Sequence, residues 1–192
     1  GHKLSDDEEL EIEALLQQKD YISEDVLVKY DNIGKANRMN DVVGRYIENI
    51  KATIDKKVRL DNLKIVIDTA NGSCYKIAPT ILWELGANVI AISNEPNGTN
   101  INEKCGSTSP DLIKEKVIEH KADIGIALDG DGDRVIFIDN NGEVISIDQV
   151  LFLIARHLKK QNKLLNDTIV VTKMSNIALE TCCQEHGIKV VY

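Results

Sequence analysis

Three aspartates alternate with two glycines in the segment Asp129–Arg134, which reads DGDGDR. Two carboxylates about 4 Å apart repel each other by roughly 4 kcal/mol at an effective dielectric constant near 20, so we expect a cation wherever three converge. Carboxylate oxygens are hard ligands that suit Mg²⁺ and Ca²⁺. Glycines allow tight turns that bring alternate side chains to one place. The segment therefore predicts a metal site with Asp129, Asp131 and Asp133 as ligands.

The acidic segment fits two rival site types less well. An EF-hand loop beginning at Asp129 would need Gly at position six and Glu at position twelve, where this chain has Arg134 and Asn140. An aspartyl-phosphate phosphotransferase would use one Asp of a D-x-D pair as its nucleophile. That chemistry leaves the third Asp and the Arg unexplained. A solvated acidic turn is the remaining structural alternative.

Strands and helices alternate on both sides of the acidic segment. The apolar run before it shows little alternation, as expected of a strand buried on both faces. Asn141-Gly142 indicates a hairpin turn after it. The predicted strands lie at residues 64–67, 88–92, 123–128, 135–139, 144–147, 167–172 and 188–192. This order predicts an α/β fold in which a mixed, mostly parallel sheet is layered with helices.

The same pattern predicts three parts along the chain. Residues 41–146 are expected to form one complete α/β domain that carries the acidic segment. Residues 147–192 supply only two parallel strands, too few for a stable sheet, so we expect them to begin a further domain. Residues 1–40 are expected to hold a helix that Ser5 and Glu8 start with a capping box, followed by a connector.

Charge and composition exclude several classes of partner and location. The net charge is −8 and no basic block occurs, which argues against a nucleic-acid partner. The longest apolar run, Val150–Ala155, is far shorter than the roughly 20 residues that span a bilayer. No signal peptide opens the chain, and its four cysteines are too sparse for a disulfide framework. These features favour a cytoplasmic protein with reduced thiols.

The acidic segment resembles the metal loop of the α-D-phosphohexomutases. Further segments resemble this family in the same order and together span nearly the whole chain: Lys3–Glu13, Asp68–Gly72, Asn100–Asp111 and Thr172–Glu180. They are similar to the end of the family's first domain, its second domain and the start of its third. The stretch NINEKCGSTSPD favours the branch that acts on glucosamine phosphates, although Ser109 replaces the histidine usual in that branch.

This resemblance implies a four-domain enzyme more than twice this length. It would interconvert glucosamine 6-phosphate and glucosamine 1-phosphate, through a phosphoserine and a bisphosphate intermediate, for cell-wall amino-sugar precursors. The implied cofactor is Mg²⁺ on Asp129, Asp131 and Asp133, and Arg134 would lie close to the phosphoserine. That serine would belong to the first domain, upstream of this chain, so the chain alone is expected to be inactive.

Several alternatives remain open at this stage. Arg134 could make planar hydrogen bonds to a phosphate, or it could only pair with a neighbouring aspartate. The sugar could be the glucose or mannose phosphate used by other members of the superfamily. The chain could also be a metal-binding or phosphosugar-binding module without catalysis, or an interaction domain in which the acidic segment is surface.

Overall fold

The computed structural model describes residues 2–18 and 27–192. These residues fall into two compact units, Gly1–Asn40 and Asp41–Tyr192. In the first unit, helix α1 spans Asp6–Leu16. Its start is the predicted capping box, in which Ser5 Oγ accepts from the Glu8 N–H and Glu8 Oε2 accepts from the Ser5 N–H at 2.9 Å.

A five-stranded mixed sheet forms the centre of the second unit. Its strands are β1 Lys64–Asp68, β2 Asn88–Ile92, β3 Ile124–Leu128, β4 Val135–Asp139 and β5 Val144–Ile145. The strand order is β2-β1-β3-β4-β5. Strand β1 is parallel to both neighbours, whereas β4 and β5 add antiparallel pairs. The carboxyl ends of β1, β2 and β3 therefore meet at one edge of the sheet, where ligand sites of open α/β sheets lie.

Three helices accompany this sheet: α2 Val42–Lys51, α3 Ile77–Glu84 and α4 Asp111–His120. Helix α4 packs on β1, β3 and β4, and α3 packs on β2 and α2. Apolar side chains between α4 and the sheet exclude water completely: Val66, Ile113, Val117, Ala127 and Ile138. This core holds the ends of β1 and β3 in fixed positions.

The remaining elements repeat the alternation once. They are α5 Ile147–Lys160, β6 Thr168–Val170, α6 Ile177–Glu185 and β7 Lys189–Val191. Strands β6 and β7 pair in parallel as a separate two-stranded sheet. A second core lies beneath it, formed mainly by Ala155, Ile169, Leu179, Cys183 and Ile188. The α/β class and the mixed, mostly parallel strand pairing predicted from the sequence are confirmed.

The sequence predicts Ser109 and Ser175 as the caps of two helices, but both helices start differently in the structure. Pro110, rather than Ser109, holds the cap position of α4, and no side chain caps that helix. Asn176, rather than Ser175, caps α6, and its Oδ1 accepts from the Ala178 N–H at 2.9 Å. The helices begin one and two residues later than predicted, respectively.

As a large aromatic residue, Trp83 is predicted from the sequence to lie in the core, but it is 69% exposed in the structure. It lies on α3 beside Pro79 and Val89 in a shallow groove. Because β2 is an edge strand, no further strand of the described residues extends the sheet to cover the indole. The apolar pattern of α3 did not reveal this edge position.

All four cysteines are free thiols, and Cys105 and Cys183 are buried. Within residues 2–18 and 27–192, the structure contains no helix with the length and apolar character required to cross a membrane.

Candidate metal centre

The acidic segment forms the loop between β3 and β4, at the carboxyl end of β3. Asp129, Asp131 and Asp133 each direct one carboxylate oxygen into a cluster whose atoms all lie within 4.8 Å of one another. Asp129 is 1% exposed, whereas the other two aspartates are open to solvent. The structure thus brings the three predicted ligands together at one exposed position.

Backbone hydrogen bonds close this metal loop, defined here as residues 129–134. The Asp129 N–H donates to the Arg134 carbonyl at 3.3 Å, and the Gly132 N–H donates to the Asp129 carbonyl at 3.2 Å. Gly132 has a φ of +76°, a conformation that residues with a Cβ rarely adopt. The turn at Gly132 reverses the chain, so the aspartates on both sides of it face the same point.

Arg134 pairs with the buried aspartate. Its Nε donates to Asp129 Oδ2 at 2.6 Å, and its backbone N–H donates to Asp129 Oδ1 at 3.1 Å. Burial would raise the pKa of Asp129, but the hydrogen bonds from Arg134 outweigh it and lower the pKa from 3.8 to about 2. The Arg134 side chain is 67% exposed, so its guanidinium is also accessible from solvent.

Asp133 shows the cost of bringing these charges together. A hydrogen bond to Asp129 and the negative charge of Asp131 raise the pKa of Asp133 above its ordinary value. A divalent cation would reverse this effect by stabilising the ionised carboxylates.

The residues present fit a hard divalent cation. All three side chains offer carboxylate oxygen, the donor preferred by Mg²⁺ and Ca²⁺. Their oxygens all lie within 4.8 Å of one another, so the three carboxylates would be grouped around a single cation.

Two further loops contact the metal loop at this edge of the sheet. Residues 69–73 follow β1, and residues 105–107 belong to the long connection before α4. The Ser73 N–H donates to the Gly130 carbonyl at 2.8 Å, and the Ser107 N–H donates to the Leu128 carbonyl at 2.9 Å. In the sequence, Asn71-Gly72 before a helix indicates a structural turn or, as a weaker alternative, a phosphate site at the helix N-terminus. The sequence does not indicate that this turn supports the metal loop.

Asp68 is the main residue that sequence reasoning missed. It ends β1, is completely buried and accepts hydrogen bonds from two backbone N–H groups. The available signal was an aspartate that closes an apolar strand directly before a turn. Lys173 and Ser175, which the sequence places at a strand-to-helix junction where they could face a cleft, lie between β6 and α6.

Two family models together match most of this second unit. The model for phosphoglucomutase/phosphomannomutase alpha/beta/alpha domain II matches residues 44–142. The model for alpha/beta/alpha domain III of the same family matches residues 146–192. The first of these contains the whole metal loop.

Curated relatives are similar along almost the entire chain. A phosphoglucosamine mutase of Rhizobium etli (strain CIAT 652) is 53% identical over 97% of this chain and 41% of the relative. A phosphoglucosamine mutase of Gluconacetobacter diazotrophicus is 52% identical over 100% of this chain and 42% of the relative. The chain thus spans about two fifths of the length of the curated relatives it matches.

Solved structures show the same architecture. A phosphoglucomutase/phosphomannomutase family protein from Burkholderia thailandensis superimposes with a TM-score of 0.62 and 25% identity, over 78% of this chain and 32% of that one. A candidate phosphomannomutase from Thermus thermophilus gives a TM-score of 0.65 at 20% identity, over 83% and 37% of the two chains, which supports the fold alone. The fold, the metal loop and the matching domain models agree, and the chain belongs to the phosphoglucomutase/phosphomannomutase family.

Proposed function

We propose that this chain is the metal-binding part of a phosphoglucosamine mutase, which interconverts glucosamine 6-phosphate and glucosamine 1-phosphate in the cytoplasm. The observation that carries this proposal is the convergence of three carboxylates beside Arg134 at the carboxyl end of β3. Relatives that are about half identical in sequence carry that enzyme's name. In this proposal, residues 41–146 form the metal-loop domain and residues 147–192 begin the next domain.

The residues of the metal loop have two roles in this proposal, metal binding and phosphate binding. Asp129, Asp131 and Asp133 would hold Mg²⁺, which supplies neutralising charge to phosphate oxygens when bound. Arg134 holds Asp129 through Nε, and its exposed guanidinium can donate charge-assisted hydrogen bonds to a phosphate. The resemblance implies that a serine of another domain carries this phosphate as a phosphoserine, and that a sugar bisphosphate is the intermediate of the transfer.

A second candidate is a phosphoglucomutase or phosphomannomutase of the same family. The matching domain models are shared by these enzymes and do not separate the sugars. The stretch Asn100–Asp111, with its CGST sequence, favours the glucosamine branch, and so do the names of the curated relatives. A binding module without catalysis is disfavoured by the same similarity.

The sugar is tested by comparing kcat/KM in the full-length protein. Glucosamine 1-phosphate, glucose 1-phosphate and mannose 1-phosphate would be assayed with Mg²⁺ and the matching bisphosphate activators. We expect the aminosugar phosphate to give the highest kcat/KM. Equal or better use of mannose 1-phosphate would overturn the glucosamine assignment, whereas absence of turnover with all three would overturn the mutase assignment.

A further inference from the structure

The completely buried Asp68 carboxylate joins two loops that are distant in sequence. Its Oδ1 accepts from the Ala70 N–H at 2.9 Å, and its Oδ2 accepts from the Gly106 N–H at 2.8 Å. Both oxygens are therefore occupied by backbone donors. A carboxylate of this kind fixes the backbone positions of both loops, because losing it would leave two buried N–H groups unpaired.

The first loop runs from Ala70 to Ser73 and contacts Gly130, the residue that follows Asp129. Ala70 and Asn71 have φ angles of +52° and +50°, a strained conformation that is uncommon outside glycine. At Gly72 the backbone approaches the metal loop so closely that a Cβ would lie 2.2 Å from the Gly130 carbonyl oxygen. The following Ser73 N–H donates to that same oxygen. The turn that follows Asp68 thus fixes the backbone position of Gly130.

The second loop runs from Gly106 to Ser107 and contacts Leu128, the residue that precedes Asp129. The Ser107 N–H donates to the Leu128 carbonyl at 2.9 Å, and Leu128 directly precedes Asp129. One loop held by Asp68 therefore contacts Gly130 in the metal loop, and the other contacts Leu128 at the end of β3, so the two contacts lie on either side of Asp129. This arrangement makes the position of Asp129 depend on a carboxylate that lies outside the loop.

We propose that Asp68 is a positioning residue for the metal centre, which acts through Ser73 and Ser107 on the backbone at Gly130 and Leu128. This inference rests on the proposed function, since it presupposes that Asp129, Asp131 and Asp133 bind a divalent cation. Outer partners of metal ligands determine the orientation of those ligands, and their loss typically weakens metal binding by about 10–100-fold. Asp68 acts through backbone contacts, so the effect belongs at the lower end of that range.

The test is Mn²⁺ binding by the chain, measured by electron paramagnetic resonance of the free ion, with Mg²⁺ as competitor. Asp68→Asn keeps the size of the side chain but places an amide NH₂ against a backbone N–H. We expect it to raise the Kd for Mn²⁺ by roughly tenfold. Gly72→Ala is a second variant in case Asp68→Asn does not fold, because its Cβ displaces Gly130 from the same side. It should weaken Mn²⁺ binding similarly.

Asp139→Asn is the matched control. Asp139 also ends a strand of this sheet and accepts from two backbone N–H groups, those of Asn141 and Glu143, both at 2.9 Å. It pairs with Ile124 in the register, so it lies at the opposite edge of the sheet from the metal loop. Asp139→Asn should lower stability while leaving the Kd for Mn²⁺ unchanged.

The outcomes separate this inference from the proposed function. If folded Asp68→Asn binds Mn²⁺ with the same Kd as the unaltered chain, the positioning role alone is overturned. If that variant does not fold, the same Kd in folded Gly72→Ala overturns it. An equal loss of affinity in Asp139→Asn would also overturn it, because any destabilised sheet would then produce the effect. No Mn²⁺ binding by the unaltered chain would overturn the metal centre and the positioning role together.

Discussion

At the scale of single residues, the metal loop combines charge repulsion with one strong ion pair. Asp129 is buried and ionised because Arg134 donates to both of its oxygens. Asp131 and Asp133 remain exposed, and the pKa of Asp133 is raised by its neighbours. Arg134 therefore pairs closely with Asp129 and lies 3.5 Å from Asp133, so three aspartates and one arginine leave the loop with a net negative charge.

Asp131→Asn is expected to weaken Mg²⁺ binding by roughly tenfold or more and to leave the fold intact. Asp131 is exposed, so the change removes a ligand charge without opening the core. Isothermal titration calorimetry of the chain measures the affinity, and circular dichroism checks the fold. Asp111→Asn, an exposed aspartate outside the loop, is the control; an unchanged affinity for Asp131→Asn would contradict its assignment as a ligand.

Arg134→Lys is expected to lower kcat/KM of the full-length enzyme by roughly tenfold. Lysine keeps the positive charge but lacks the planar fork, and a hydrogen bond to a charged group contributes about 1.5–3 kcal/mol. Steady-state kinetics at saturating Mg²⁺ measures the change. Lys163→Arg, a conservative exchange away from the metal loop, should be silent. Kinetics for Arg134→Lys equal to those of the parent enzyme would mean that Arg134 only pairs with Asp129.

At the scale of elements, the strands fix the positions of the loops, and the loops carry the candidate metal ligands. Strands β1 and β3 are adjacent and parallel, so the turn after β1 and the metal loop after β3 lie side by side. Helix α4 packs on both strands from one face. Asp68 and Asp139 mark opposite edges of the same sheet, one beside the metal loop and one at the β4–β5 hairpin.

Acid should destabilise the β4–β5 hairpin through Asp139. Hydrogen bonds from the Glu143 and Asn141 N–H groups lower the pKa of Asp139 below 3.8 in the folded chain. Its stabilisation is therefore complete above that value and is lost as the pH falls through the lower folded-state pKa. Urea unfolding at pH 7, 5 and 3 should show that Asp139→Asn is less stable at pH 7 and less sensitive to acid. Parallel pH profiles for the variant and the parent would contradict this expectation.

Sequence patterns predicted the elements better than the contacts between loops. Strands β2 and β4 begin and end at the predicted residues, because each is a short apolar run bounded by polar or turn-forming residues. The metal loop was predicted because its ligands are neighbours in sequence. The bonds from Asp68 to Gly106 and from Ser73 to Gly130 could not be predicted, since they join residues separated by about 40 to 60 positions. Exposure of Trp83 was missed for a related reason: it depends on which strand lies at the edge.

At the scale of the whole molecule, this chain matches about two fifths of its curated relatives. Many apolar side chains of the second unit face solvent, among them Val43, Tyr46, Ile147 and Ile177. The metal loop itself lies at an exposed sheet edge. In the proposed enzyme, a phosphate carried by another domain approaches the loop from this open side.

The 192 residues alone are expected to show no detectable mutase turnover. By resemblance, the serine that carries the phosphoryl group belongs to another domain, and loss of substrate positioning can remove about 7–11 kcal/mol of barrier lowering. The assay is conversion of glucosamine 6-phosphate with Mg²⁺ and the bisphosphate activator, and the full-length protein is the positive control. Turnover that Asp131→Asn abolishes would place the catalytic serine within these residues.

The direct pairing of β3 with β4 fixes the number of residues in the metal loop. Leu128 and Val135 face each other in the antiparallel register, so the six intervening residues join two strands that cannot slide independently. Adding or removing one residue would either strain the turn or shift β4, and a shift by one would move the completely buried Ile138 to the opposite face. Packing of the core thus constrains the number of residues in this loop. An insertion or deletion in the loop therefore requires the sheet to repack.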